Sequence, residues 1–187
     1  MQKFIIIVIS TFLLVFICGN AFAGTPLTKE QANNFYLNCK GKQDTRMRPE
    51  SQDAMCACTS AAVMQAMSLE DIQVMSGNTP ESRIALNKML LHVYAPCMSY
   101  PVQDLVGMQC LSDPNIDKMG VKIPKESLCS CIAENTAAWF VNEGRTLMEE
   151  VLKKDPNILD PIGPIMETSS FKAQTYNSMV ACMTRGK

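Results

Sequence analysis

Eight of the nine cysteines fall into one spacing used twice, and that spacing limits the fold more than any other feature. Cys39 is followed by sixteen residues, Cys56-Ala57-Cys58, thirty-eight residues and Cys97. Cys110 is followed by eighteen residues, Cys129-Ser130-Cys131, fifty residues and Cys182. The pattern C-x16-C-x-C-x38-C recurs with small insertions, and each C-x-C follows a proline-containing approach, Arg48-Pro49-Glu50-Ser51 and Ile123-Pro124-Lys125-Glu126-Ser127. An offset of 73 residues between the C-x-C pairs exceeds any stacked solenoid period, so the reading is a duplicated small domain.

The oxidation state of these cysteines depends on the compartment, and the N-terminus addresses that. Met1-Gln2-Lys3 precedes an apolar run from Phe4 to Cys18, and Ala21-Phe22-Ala23 then supplies small residues at the positions a signal peptidase needs. Residues 1–23 are expected to be a secretory signal peptide, cleaved after Ala23. A retained membrane anchor is the rival reading, opposed by Gly19 and Asn20, which interrupt the run. Lipid attachment at Cys18 is opposed by bulky Phe16 and Ile17 before it. With the leader gone, Cys39, Cys56, Cys58, Cys97, Cys110, Cys129, Cys131 and Cys182 remain. An even number in an exported chain reads as four disulfides. The expected destination is the periplasm or the medium.

Local patterns favour helices. Thr28 with Gln31 forms a capping box ahead of a helix from about Lys29 to Cys39. Ser51 to Met67 is rich in alanine and methionine and holds no breaker. Ser68 caps a short helix at Leu69 to Met75, ended by Gly77-Asn78. Glu81 to Tyr94 carries Ile84 and Leu91 on a face leading to Cys97. In the second half the patterns predict helices at Pro124 to Phe140, Thr146 to Lys154 and Phe171 to Met183. Asn157 to Pro164, next to Pro156 and holding Pro161, reads as irregular. Pro101 is expected to interrupt helix, which makes Ser99-Tyr100-Pro101 the linker. The expected fold is therefore all-α: two tandem disulfide-stapled units, residues 24–100 and 101–187, each of three to four short helices around a C-x-C helix.

On a helix, residues two apart project about 200° from each other. Cys56 and Cys58, or Cys129 and Cys131, therefore cannot bond to one another without breaking the helix. Each must reach a different neighbour, which leaves two connectivities per unit, and the sequence does not choose between them. Units of about 75 to 85 residues rarely retain more than roughly 3–5 kcal/mol from a core alone, so two staples each would exceed the core's own margin.

Function classes narrow by elimination. Losing Lys3 with the leader takes the formal charge from −1 to −2, so neither nucleic acid nor an anionic membrane has a basic surface to meet; membrane contact is expected only if the leader stays. The C-x-C pairs lack a thioredoxin-like βαβ setting, and two further cysteines per unit stand ready to take them up as disulfide partners. Thirteen methionines outside the leader, including Met64, Met67, Met179 and Met183, suggest a soft-metal store for copper(I). Core packing is their commoner use, and they do not cluster in one segment. His92 is the only histidine, within Leu90-Leu91-His92-Val93-Tyr94, too few for a zinc site or a hydrolytic triad. Glu70-Asp71 and Glu149-Glu150 are adjacent on helices, where they mark solvated faces or helix starts. No phosphate-binding glycine loop occurs.

What remains is a non-enzymatic exported protein without metal or cofactor, expected to be a protein-interaction module of the cell envelope or extracellular space whose partner is unknown. A soft-metal or thiol-active periplasmic protein is one alternative. An apolar-ligand carrier is the other, with Trp139 and Phe140, followed by Met148 and Val151, as its cavity wall.

Overall fold

The computed structural model describes residues 24–120 and 122–185. The expected leader, with Cys18 and the expected cleavage site, lies outside the described residues. The described chain is helical and holds four disulfides. Its helices are α1 (Lys29–Gly41), α2 (Pro49–Ala66), α3 (Leu69–Val74), α4 (Pro80–Met89), α5 (Ser99–Ser112), α6 (Pro114–Lys118), α7 (Lys125–Lys154), α8 (Ile162–Met166) and α9 (Ser169–Arg185). Between α4 and α5 the backbone runs through a π turn, Leu90–Tyr94, and a 3-10 turn, Ala95–Cys97.

Local chemistry explains most of the helix starts. The side chains of Thr28, Ser68 and Thr79 each accept a hydrogen bond from the backbone N–H three residues on, and their own backbone N–H groups donate to that residue's side chain in return, closing capping boxes at α1, α3 and α4. Proline opens α2, α4 and α6, where a missing N–H costs no intrahelical bond. The π turn has its cause downstream. Pro96 lacks an N–H for the carbonyl of His92, and its ring would strike that carbonyl, so the helix widens and then tightens into the 3-10 turn.

Four expectations are corrected here. Ser99-Tyr100-Pro101 is the first turn of α5 rather than a linker, and Pro101 is buried. In a first turn its missing N–H has no intrahelical acceptor to lose. The helices expected at 124–140 and 146–154 are one continuous α7 of 30 residues. Gly144, between the two expected helices, is buried on α7 against the ring of Phe140. Within the stretch read as irregular, Ile162 already starts α8. Ile84, expected on the inner face of α4, is 69% exposed; Ser82, Ala85 and Met89 are buried instead.

Packing is most extensive between α5 and α7, then between α9 and α7 and between α1 and α2. Two buried clusters result. The smaller gathers Val63, Met67, Met89 and Val93. The larger is centred on α7, with Phe140 and Met148 fully buried, and extends to Leu90, Ala95 and Met98. Tyr94, on the π turn, packs against both. A further tie is polar: Asp104 of α5, almost wholly buried, accepts the Arg48 main-chain N–H at 2.7 Å and its Nε–H at 2.7 Å. Arg48 is the N-cap of α2 and makes no side-chain cap of its own, so the carboxylate from α5 supplies negative charge at that helix start.

Candidate functional site

The cysteines fix the frame around the site. Cys56 on α2 bonds Cys39 near the end of α1, and Cys58, on the same helix, bonds Cys97 in the 3-10 turn. Cys129 on α7 bonds Cys110 of α5, and Cys131 bonds Cys182 of α9. In both cases the first cysteine of the C-x-C takes the upstream partner and the second the downstream one. All eight are oxidised, so none of them is available as a nucleophile or a thiolate ligand.

The residues expected to wall an apolar cavity beside Trp139 are packed as core. Phe140 and Met148 have no exposed surface and Val151 has almost none. Phe171 of α9 fills the remaining space, with ring centroids 6.3 Å from Trp139 and 6.4 Å from Phe140 in edge-to-face contact.

A cavity of about 520 Å³ lies instead where α1, α2, α4 and the π turn meet the segment 158–162 that leads into α8. This volume is in the range of small-molecule sites. Five methionines line it: Met47 before α2, Met55 on α2, Met75 at the end of α3, Met89 at the end of α4 and Met98 ahead of α5. The methionines do not cluster in one segment, as expected, but five of them gather in space. One cause is visible in the frame: Met55 lies three residues before Cys58 and Met98 directly follows Cys97, so the Cys58–Cys97 bond holds both near one place. Ile158, Pro161 and Ile162 close the opposite wall. Tyr94 also lines the space; its burial raises the phenol pKa, so the group stays neutral, and its hydroxyl hydrogen-bonds to no described residue.

The polar groups of the cavity form one cluster. Arg46 donates from Nε and Nη2 to Asp44 at 2.8–3.1 Å and from Nη1 to Asp160 at 2.6 Å, so it ties the loop before α2 to the segment before α8. The Arg46 side chain is 48% exposed and that of Asp160 55%. Leu159, beside them, is 75% exposed, which makes this edge the mouth. The two carboxylates raise the guanidinium pKa, and Arg46 in turn holds the Asp44 carboxyl below its ordinary value.

Chemically this arrangement can enclose an apolar molecule. Among the lining residues the ionisable groups are Asp44, Arg46, Asp160 and Tyr94, with no hydroxyl, thiol or amine nucleophile beside a base. The other singled-out groups have structural work. Asp71 completes the α3 capping box and pairs with Lys88 at 2.6 Å. Glu70 accepts from the Thr25 N–H at 2.8 Å and its hydroxyl at 2.7 Å. Glu149 and Glu150 pair with Arg145 and Lys154 one turn away. His92 is exposed on the π turn, and partial desolvation with Arg145 and Lys88 nearby lowers its pKa. Met67 is core and Met64 is exposed. Among the described residues no group of three or more histidine, cysteine or acidic side chains is placed to hold a metal.

No protein-family model, curated protein or solved structure matches the chain. The four disulfides suggest an oxidising, exported compartment. No described helix is long and apolar enough to cross a membrane.

Proposed function

We propose that this chain is an exported, non-enzymatic binding protein that holds an apolar small molecule in the methionine-lined cavity. The single observation carrying the reading is the convergence of five methionines, from four helix ends or loops and one helix interior, on a space of about 520 Å³. A thioether is apolar, polarisable and unbranched, so such a wall adapts to ligands of varied shape. In this reading residues 1–23 are the cleaved leader, and the C-x-C helices are the stapled centres of two copies of one duplicated unit. The repeated cysteine spacing and its matching pairing support that history. A protein partner, the expectation from sequence, has less in its favour. The exposed large apolar side chains, among them Leu37, Ile84, Val141, Leu159 and Tyr176, are spread over several elements. A thiol-active or cysteine-ligated copper function has lost its ligands to the four disulfides.

The test uses Nile red, an uncharged apolar dye, with the oxidised protein. Saturable binding is expected, and Met55→Trp, which fills the cavity from a half-buried position, is expected to weaken it about tenfold with helical circular dichroism unchanged. Dye binding that Met55→Trp leaves unaltered would place the dye elsewhere and end the proposal.

A further inference from the structure

Resting on the reading of this cavity as an apolar-ligand site, we infer that its ligand carries a cationic amine head rather than a carboxylate. The argument is the charge inventory of the mouth. An apolar carrier for fatty acids needs a cation whose charge is not already met, and that of Arg46 is met twice. Its Nε, Nη1 and Nη2 all donate to carboxylates already in place, Asp44 on one side and Asp160 on the other. One N–H on each Nη remains, but a carboxylate taking them would add a third negative charge around one guanidinium.

An amine meets the opposite situation. Two carboxylates and one guanidinium leave the cavity with one uncompensated negative charge, since Tyr94, the remaining ionisable lining group, is neutral. Asp160 is the most exposed member of the cluster. Oδ2 of Asp160 accepts from Arg46, whereas its Oδ1 has only a 3.3 Å bond from the Ile162 N–H. An ammonium beside Oδ1 gains a partner without breaking the Arg46 bond. Deeper in, thioethers surround the apolar tail. Opposite unit charges a few ångströms apart near a protein surface are worth enough to change affinity about tenfold.

Three ligands with one apolar chain and different heads separate the possibilities: dodecylamine, dodecanol and dodecanoate, each below its micellar concentration, competing with Nile red on the oxidised protein. Dodecylammonium is expected to displace the dye at about tenfold lower concentration than dodecanoate, with dodecanol between them. Asp160→Asn removes the uncompensated charge and is expected to bring amine and alcohol close together. Dodecanoate equal to or tighter than the amine overturns the inference and leaves the apolar site standing. An amine preference that Asp160→Asn does not reduce overturns it as well, because the preference then has another source. Displacement by none of the three overturns the cavity reading itself and the inference with it.

Discussion

Gly144 shows how a glycine inside a helix can be required by packing. Glycine within a helical stretch costs up to about 1 kcal/mol against alanine, which favours a break there. In the folded chain a Cβ at this position would lie 2.3 Å from Cε1 of Phe140, itself fully buried. Glycine is what lets that ring lie flat against its own helix one turn on. Gly144→Ala is therefore expected to destabilise, since an overpacking cost of about 1–3 kcal/mol exceeds the propensity gain. A urea titration reads the sign: a midpoint moved upward would show that Phe140 shifts without cost. Glu70 makes a second residue-scale case. Its bonds from Thr25, the hydroxyl first, hold its carboxyl at about 2 against an ordinary 4.5. A folded-state pKa below the unfolded one adds stability that is complete above the unfolded value and lost as pH falls through the folded one. The stability difference between wild type and Glu70→Gln should thus be full above about pH 4.5 and gone near pH 2, measured by denaturant midpoints across that range.

At the scale of elements, the staples and the helices they join divide the work unequally. The bonds Cys39–Cys56 and Cys110–Cys129 close spans of 17 and 19 residues, whereas Cys58–Cys97 and Cys131–Cys182 close 39 and 51. In the chain-entropy account the long closures restrict the unfolded chain more. Replacing Cys131 and Cys182 with serine is expected to cost about 4 kcal/mol, and replacing Cys110 and Cys129 about 3. Equal losses in a denaturation series would mean that native packing around α9, rather than loop closure, sets the difference. The π turn is an element-scale device of another kind. By changing the pitch before Pro96 it keeps Val93 and Leu90 in the cores while Leu90 and Tyr94 also face the cavity. A regular helix through the same residues would rotate one of those contacts away.

For the whole molecule, the two four-cysteine halves do not keep separate interiors. Leu90, Ala95 and Met98, from the first half, are buried in the larger core with α7 and α9. Asp104 caps α2 from across the divide, and Arg46 reaches Asp160 over 114 residues of sequence. The proposed ligand site exists only because of that docking, since its methionine wall comes from the first half and its closing wall from residues 158–162.

The sequence by itself determined the helical class, the capping of α1 and α3, and the requirement that each cysteine of a C-x-C pair find a different partner. These are short-range matters, settled by hydrogen bonds within one turn and by the angle between neighbouring side chains. Tertiary structure alone decided which of the two connectivities forms, that α7 runs unbroken past Gly144, that Pro101 sits in a helix, and that Trp139 packs in a core rather than beside a cavity. It also decided where the methionines gather. Met47, Met55, Met75, Met89 and Met98 share no periodicity, because they belong to different helices and loops. They share only the space that remains when those elements are drawn together by the Cys58–Cys97 bond and the packing of one half on the other, and that space follows from shape complementarity between distant segments.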